Sequence, residues 1–363
     1  MGLQSLEICD FRNIRQSALT FSPGLNLISG ANAAGKTSLL EAIYFLGRAR
    51  SFRTTDSRQL IRYEQTGLRL IGRVSGRDVG QSTVIGIERT SRSLRVHAAG
   101  EPVSRLSELA GRLSVQVLSG DTQNIVNGGP RCRRQTLDWA LFHVEQRYRE
   151  IWQRYARALR QRNAALRGKA PAGQVQAWDH ELLETASLVD GFRRSYLDAL
   201  QPYLLTEVRH LLPDAAPSLC YQSGWPANTT LVDILRQSIE RDRAMGYTCH
   251  GVHRGDFSIL LDGRNVAAHC SPGQQKAVVV AFLLAQVKLQ QVRKAGMGVF
   301  LLDDLGSELD VSHQSRILEA LHELETQVFV TSIDPVALDL ATWPAMARFH
   351  VEHGVIQTDR FAD

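Results

Sequence analysis

Eight residues near the start of the chain constrain its fold more than any other feature. They are Gly30-Ala31-Asn32-Ala33-Ala34-Gly35-Lys36-Thr37, which fit the pattern G-x-x-x-x-G-K-[ST]. A short apolar run at 24–29 precedes them, and residues 38–46 follow with helical spacing and good helix formers. Strand, loop and helix in this order are the context in which the pattern forms a phosphate-binding loop. The sequence therefore predicts an α/β domain, and a chance match to the pattern is the weaker interpretation.

The residue types of the loop suit a nucleoside triphosphate. Gly30 and Gly35 let backbone N–H groups turn inward around phosphate oxygens, and the following helix adds the partial positive charge of its N-terminus. The Lys36 ammonium would reach the β- and γ-phosphates, and the Thr37 hydroxyl would ligate Mg²⁺.

Two adjacent carboxylates follow a second apolar run. Residues 299–302 are Val-Phe-Leu-Leu, and Asp303 and Asp304 come directly after them. At the end of a strand, Asp303 would face the metal and Asp304 would act as the base beside the attacking water. An exposed acidic turn is the alternative for this pair taken alone. The phosphate-binding loop favours the functional interpretation.

A third motif opens the long apolar pattern that begins at Ala277. It reads Ser271-Pro272-Gly273-Gln274-Gln275-Lys276. The Ser271 hydroxyl and the Gly273 backbone at a helix start form a second anion-binding site. The alternative is a plain helix cap with proline in the first turn.

The middle of the chain has a different texture from its two ends. Residues 68–97 alternate short β-rich runs with turns, which predicts an antiparallel meander. Apolar residues at steps of three or four predict a long helix through 137–159 and another through 175–200, around the Gly/Pro turn 168–173. We therefore predict one domain formed by residues 1–125 and 216–363, with a helical lobe inserted at 126–215.

The order of the motifs resembles the head of an ABC ATPase. After the phosphate-binding loop come the Ser-x-Gly-Gln segment, the Asp-Asp pair and a Ser-Glu-Leu-Asp segment at 307–310. The resemblance implies ATP as the nucleotide. It also implies that Ser271, Gly273 and Gln274 of one subunit close over the ATP of another, so that a homodimer encloses two ATP molecules.

A wider set of segments is similar to the RecF family of bacterial recombination-mediator ATPases. The resemblance implies an ATP-dependent DNA-binding dimer and a slow, DNA-stimulated, switch-like ATPase. It implies a role in loading RecA onto single-stranded gaps during DNA repair, replication restart and the SOS response, with RecO and RecR as partners. The resembling segments are spread over the whole chain, at residues 10–13, 37–44, 50–53, 133–134, 137–138, 253–256, 271–276 and 302–310.

The sequence departs from the family pattern at several positions. Ala33 stands where the family usually carries glycine; if this residue needs a positive φ, alanine costs about 1 kcal/mol and lowers nucleotide affinity. Residues 119–121 replace an expected proline-acid pair, so Gln116 and Gln123 are both candidates for the glutamine-loop residue. Asp304 is not such a departure: many ABC ATPases carry glutamate as the second acid, whereas RecF-like chains carry aspartate, and the shorter side chain fits slow hydrolysis.

The distribution of charge points to a polyanionic partner. The net charge is +5, with 42 basic residues, and residues 131–169 hold eleven basic residues against three acidic ones. Aromatic residues are interleaved with them, including Trp152 and Tyr155. Arginines on a helix face would bind the phosphates of single-stranded or gapped DNA. A solvated face with core aromatics is the alternative.

Other classes of protein fit less well. The longest apolar stretch, 277–285, is too short to cross a bilayer, and we see no signal peptide, so we expect a cytoplasmic protein without membrane contact. An SMC-type tethering ATPase needs hundreds of coiled-coil residues between its two groups of motifs, whereas this chain has only the predicted helical hairpin there. A transporter ATPase subunit usually carries L-S-G-G-Q and a switch histidine, whereas this chain has Thr331 and Ser332 at the switch.

Overall fold

A computed structural model describes residues 2–76, 81–103, 107–293, 298–304, 311–323, 326–333, 343 and 345–359. The chain divides into two compact units. The first unit is Met1–Gln123, His210–Pro213 and Ser271–Asp363, and the second is Asn124–Arg209 with Asp214–Cys270. The first unit is therefore built from both ends of the chain.

An antiparallel sheet forms one layer of the first unit. Its six strands, numbered in chain order, are β1 Leu3–Phe11, β2 Ile14–Thr20, β4 Gly67–Ser75, β5 Ser82–Thr90, β6 Leu94–Ala98 and β7 Glu101–Pro102. Their order in the sheet is β2-β1-β4-β5-β6-β7. Buried and exposed residues alternate along β4, as expected for a sheet with one solvated face. The predicted meander at 68–97 is confirmed.

A second sheet in the same unit is mainly parallel. Its strands are β3 Leu25–Ser29, β8 Val115–Leu118, β12 Val299–Leu302, β13 Gln327–Ser332, β14 Met346–Glu352 and β15 Val355–Asp359. Their order is β15-β14-β3-β13-β12-β8, and β15 alone runs antiparallel to its neighbour. Every residue of β12 and β13 is buried, because strands inside a parallel sheet are covered on both faces.

Helices of the first unit differ in burial, and most residues of Lys36–Arg48 and of Pro272–Val292 are buried. They are α1 Lys36–Arg48, α2 Ser107–Arg112, α11 Pro272–Val292 and α12 Val311–Glu323, with 3₁₀ turns at Ser57–Leu60 and Gly120–Gln123. The core beneath α1 includes Phe45, Phe329 and Phe349, and the Phe21 ring meets Phe329 edge-on with 4.9 Å between centroids. Such packing holds the two ends of the chain in one unit.

Helices dominate the second unit. They are α3 Asn124–Asn127, α4 Pro130–Val144, α5 Tyr148–Arg167, α6 Ala172–Gln176, α7 Asp179–Leu211, α8 Leu231–Gln237, α9 Ile239–Met245 and α10 Val266–His269. A 3₁₀ turn at Val252–Arg254 and an antiparallel sheet of β9 Pro217–Gln222, β10 Asp256–Leu261 and β11 Arg264–Asn265 complete it.

The helix predicted through 137–159 is two helices. Glu145 takes extended angles, φ −121° and ψ 107°, and ends α4. The break turns the chain so that the buried Tyr148 hydroxyl donates to Asp138 Oδ1 at 2.6 Å. A hydrophobic pattern could not reveal this break, because the apolar spacing continues across it.

The inserted unit is larger than predicted. We expected residues 216–270 to belong with the chain ends, but they group with the helices of the second unit. Ion pairs tie them there: Arg133 contacts Asp256 at 2.8 Å, and Arg162 contacts Asp242 at 2.7 Å with both side chains fully buried. A buried ion pair of this kind is costly to break. It links residues that are far apart in the sequence.

Candidate nucleotide site

The phosphate-binding loop lies between β3 and α1. Its two glycines have φ of +146° at Gly30 and +124° at Gly35. A Cβ on Gly30 would lie 2.3 Å from the Val351 carbonyl oxygen, and one on Gly35 would lie 2.8 Å from the side-chain amide nitrogen of Asn13. Only glycine fits at both positions. Because no side chain among the described residues caps the start of α1, its first N–H groups are left to an anion in the loop.

Ala33 does adopt a left-handed conformation, with φ +62°. Contacts to its neighbour Ala34 hold the turn: the Gly354 N–H and the Asn13 amide donate to the Ala34 carbonyl at 2.8 and 3.0 Å, and the Ala34 N–H donates to Ala31 at 3.2 Å. These contacts hold Ala33 in the left-handed conformation, although it costs an alanine about 1 kcal/mol.

Lys36 is buried in the loop. Its ammonium donates to the carbonyl oxygens of Gly30 at 2.7 Å and Ala31 at 2.9 Å. Burial lowers the pKa of Lys36, while the nearby carboxylates of Asp304 and Asp303 act in the opposite direction. The Lys36 ammonium is therefore held against the backbone of the loop.

Asp303 joins the loop to the second sheet. It follows β12, and its carboxylate accepts from the hydroxyls of Thr37 and Thr331, each at 3.0 Å. Burial raises the pKa of Asp303, and the two hydroxyl hydrogen bonds partly offset this. A carboxylate and a hydroxyl this close are hard oxygen donors of the kind that Mg²⁺ accepts beside a phosphate.

Asp304 turns away from the sheet. It is exposed and has φ +55°, and its N–H donates to the Thr331 hydroxyl at 2.7 Å. Aspartate tolerates this conformation better than bulky residues do. Thr331 therefore connects the backbone of one acid to the carboxylate of the other, a link that the sequence did not indicate.

Basic residues surround the loop in a cleft of about 870 Å³. Arg12, Arg53 and Arg62 line it together with Lys36, Asp303 and Asp304. Arginine and lysine side chains are the donors that most often bind phosphate groups. Volumes of this order are typical of ligand sites.

Two carboxylates beneath the cleft hold its arginines. The fully buried Glu41 accepts two bonds from Arg12 at 2.8 Å and lies 3.7 Å from Arg53. Asp10 accepts from Arg62 at 2.7 Å. The sequence pattern assigns these arginines no role in the site. Residues 10–13 belong to the family pattern, but Arg62 reaches the cleft only because its N–H pairs with the Asp10 carbonyl.

The third motif is not part of this cleft. Ser271 and Gln274 form a reciprocal cap on α11: the Gln274 N–H donates to the Ser271 hydroxyl at 3.3 Å, and the Ser271 N–H to the Gln274 side chain at 3.0 Å. Nothing in the described part of the chain lies within 4 Å of a Cβ built on Gly273. Neither Gln116 nor Gln123 lines the cleft. The Ser-Glu-Leu-Asp segment at 307–310 lies outside the described residues.

The basic run at 131–169 divides into two classes. Arg154 is paired with Glu181 at 2.8 Å and Glu184 at 3.3 Å, and Arg133 and Arg162 are also committed to acids. The aromatic residues Tyr148 and Tyr155 belong to the core. Exposed and outside the ion pairs found among the described residues are Arg131, Arg147, Arg157, Arg160, Arg167 and Lys169.

Comparison with known proteins identifies the family. The family model described as RecF/RecN/SMC N terminal domain matches residues 2–357. The DNA replication and repair protein RecF of Stutzerimonas stutzeri strain A1501 is 41% identical over 361 residues, covering 98% of this chain and 97% of that protein. The chain belongs to the RecF family. RecF of Thioalkalivibrio sulfidiphilus strain HL-EbGR7 is 38% identical, covering 98% of this chain and 99% of that protein. This is a family of DNA replication and repair proteins.

Solved structures show that the fold is that of RecF and SMC heads. A structure of the recombination mediator protein RecF with ATP, in the RecFOR pathway, matches with a TM-score of 0.88 at 24% identity, covering 99% of this chain and 98% of that one. An SMC head bound to the C-winged helix domain of ScpA matches with a TM-score of 0.61 at 15% identity, covering 100% and 98%. Within the described residues, no helix is both long and apolar enough to cross a bilayer.

Proposed function

We propose that this RecF-family chain binds ATP and Mg²⁺ in the cleft between the phosphate-binding loop and Asp303. The amides of residues 30–37 and the Lys36 ammonium would hold the phosphates. The Thr37 hydroxyl and the Asp303 carboxylate would hold the ion, which supplies positive charge where the terminal phosphates are crowded. The observation that carries the proposal is the convergence of Thr37, Asp303 and Thr331 within single hydrogen bonds of one another at the loop.

Asp304 is proposed as the base for hydrolysis. Its exposed carboxylate stands at the mouth of the cleft and would take a proton from water as that water attacks the γ-phosphate. Its backbone is held by Thr331, so the acid is oriented without being buried. Slow turnover fits a switch rather than a metabolic ATPase.

The functional form is proposed to be a homodimer closed by ATP. Ser271, Gly273 and Gln274 belong to the same unit as the loop but do not line its cleft, so they are free to serve the cleft of a second copy. The open space at Gly273 allows the start of α11 to approach a phosphate closely. Two copies would then enclose two ATP molecules.

DNA is the proposed partner of the closed dimer. The exposed arginines of α5, Arg157 and Arg160, lie three residues apart, and Arg167 continues the same helix face seven residues later. Such a row suits phosphate contacts, which need charge but no exact direction. The proposed output is recombination mediation at single-stranded gaps, in repair, replication restart and the SOS response, with RecA, RecO and RecR.

Filter binding to gapped duplex DNA tests the DNA contact. Wild type should retain the DNA only with ATP, and Lys36→Ala should not. The double variant Arg157→Glu and Arg160→Glu should lower the slope of log affinity against log salt by about 0.9 for each DNA phosphate that it no longer neutralises. Arg154→Glu is a poor choice, because that side chain is already paired with acids. The double variant Arg209→Glu and Arg241→Glu, at exposed arginines of α7 and α9, is the matched charge control. An unchanged slope in the Arg157→Glu and Arg160→Glu variant would locate the DNA elsewhere.

A further inference from the structure

A second pocket, of about 540 Å³, lies wholly within the inserted unit. Its wall comes from residues 221–227, which are the end of β9 and the loop after it, from His250 and Arg254 in the segment before β10, and from Arg194 of α7. The lining combines aromatic and cationic side chains: Tyr221, Trp225, Arg194, His250 and Arg254. None of these residues belongs to the ATP cleft.

The two loops are held rigidly against each other. Gly224 has φ +94°, and a Cβ there would lie 2.3 Å from the Gly251 carbonyl oxygen and 2.5 Å from the Gly255 nitrogen. The Gly251 N–H donates to the Gly224 carbonyl at 3.3 Å, and the Arg254 N–H donates to the Gly251 carbonyl at 2.8 Å. The wall is therefore a built surface, and the side chains that project from it are pre-organised.

The two arginines of the pocket, Arg194 and Arg254, differ in whether an acid pairs with them. Arg194 pairs with Asp190 at 2.8 Å, bonds to the Ser223 hydroxyl and lies over the Tyr221 ring at 5.1 Å. Arg254 is exposed and lies over the Tyr247 ring at 5.2 Å, and no ion pair to an acid involves it among the described residues.

The remaining polar groups are also open to a ligand. Within the part of the chain that the structure describes, the imidazole of His250 and the indole N–H of Trp225 make no hydrogen bond. Both side chains are half-buried. A half-buried indole presents a flat apolar face with a polar edge, and it lies in the same pocket as Arg254, which has no acid partner among the described residues.

We propose that this pocket binds one unpaired nucleotide of a DNA strand. The base would stack on Trp225, and its phosphate would contact Arg254 and His250. Stacking on an aromatic ring tolerates any base, and an arginine beside it takes the phosphate, which is how single strands are bound without sequence preference. A duplex cannot use the site, because its bases are already stacked and paired. The inference rests on the proposed DNA binding and assigns the contact with an unpaired nucleotide to this pocket.

The test compares two fluorescein-labelled oligomers of equal charge. One is a 12-residue oligodeoxythymidylate, and the other has the same phosphates but abasic residues. Wild-type protein with ATP should prefer the oligomer with bases. In Trp225→Leu the preference should fall by roughly 5- to 150-fold, the range for losing one stacked base. Trp225→Phe, which keeps a ring, should retain most of it.

Charge is tested separately from stacking. Arg254→Ala should weaken both oligomers alike and reduce the salt slope by about 0.7. Arg241→Ala, an exposed arginine of α9 outside the pocket, is the matched control and should change neither. Because Arg254 is exposed, this variant decides the phosphate contact even if a Trp225 variant folds poorly.

Three results would overturn the inference. One is equal wild-type affinity for the two oligomers, and another is an unchanged base preference in Trp225→Leu. The third is displacement of the oligomer by millimolar dTMP, which would identify a free nucleotide as the ligand instead of a strand. If gapped duplex is still retained in an ATP-dependent way, only this inference fails; if no DNA is retained at all, the proposed function fails with it.

Discussion

At the scale of single residues, Asp303 bears a conflict between stability and function. The site needs its negative charge beside the loop, but burial makes that charge unfavourable and raises the pKa of the carboxyl. Two threonine hydroxyls reduce the cost without removing it. In the proposed function, this loss of stability is the consequence of placing a carboxylate where Mg²⁺ would bind.

Asp303→Asn should therefore stabilise the protein while impairing the site. A carboxyl whose folded pKa is raised favours the fold below its unfolded pKa, near 3.9, and loses that contribution as pH rises through the folded value. The variant should melt at a higher temperature than wild type at pH 7, and the difference should vanish near pH 4. Binding of ATP with Mg²⁺ should weaken by about 10-fold or more. A lower Tm at pH 7 would contradict this account.

Ala33→Gly should relieve strain in the loop. The φ of +62° costs an alanine about 1 kcal/mol, and glycine adopts it freely. If that strain opposes the binding conformation, ATP affinity should rise by up to about 5-fold in a titration with a fluorescent ATP analogue. The neighbouring Ala34→Gly, where φ is not positive, is the control. Equal affinities for Ala33→Gly and wild type would mean that the surrounding contacts absorb the strain.

Parts of the site could be predicted because their chemistry is contiguous in sequence. Residues 30–37 carry their own strand and helix context, and Asp303 and Asp304 end an apolar run. Arg62 could not be found in this way. It lies in an irregular segment and reaches the cleft only through pairing with Asp10, a contact across 52 residues that no local pattern encodes.

At the scale of elements, parallel pairing brings the two acids to the nucleotide. Leu302 of β12 pairs with Val330 of β13, so Thr331 lies beside Asp303 at the carboxyl ends of both strands. The same edge of β3 leads into the phosphate-binding loop. Ligands bind at such edges of parallel sheets because the loops and helix N-termini converge there.

A buried histidine couples the elements of the inserted unit. The Tyr155 hydroxyl contacts His253 Nδ1 at 2.6 Å, and the other ring nitrogen contacts the Thr248 carbonyl at 3.0 Å. The Thr248 carbonyl can only accept, so Nε2 donates to it, and a neutral ring then accepts from the Tyr155 hydroxyl at Nδ1. Burial lowers the pKa of His253 from 6.5 to about 4.

Acid should therefore weaken this unit. A depressed histidine pKa gives stability that is present above pH 6.5 and is lost as pH falls toward 4, because the unfolded chain binds the proton first. The free energy of unfolding should fall by about 2 kcal/mol between pH 7 and pH 5. Tryptophan fluorescence in urea is a suitable probe, since four of the five tryptophans lie in this unit. His253→Gln should flatten the dependence; an equal fall in that variant would assign it to other groups.

At the scale of the whole molecule, the order of the chain differs from the order of the units. The sequence predicted that both ends build one unit around an insertion, but it placed the second boundary of the insertion too early, at 215. The sequence of residues 216–270 predicts strands and loops like those of the chain ends. Only tertiary contacts, such as that of Arg162 with Asp242, show that this segment belongs to the inserted unit. The local sequence pattern indicates whether a segment is a helix or a strand, but not which other segments it packs against.

The composite site gives the whole molecule its proposed mechanism. The cleft holds the phosphate-binding loop and both acids, while the cap at Ser271 lies outside it. A single copy therefore carries both complementary halves without joining them. ATP would act as the link between copies, and its hydrolysis would separate them.

Static light scattering with and without ATP tests this central claim most directly. Wild type should double in mass when ATP and Mg²⁺ are added. Lys36→Ala should stay monomeric, because the phosphates lose their buried ammonium. Gly273→Gln should bind ATP yet fail to dimerise, because its side chain would fill the open space that the partner's phosphate needs. A wild-type mass that is the same with and without ATP would contradict the ATP-closed dimer.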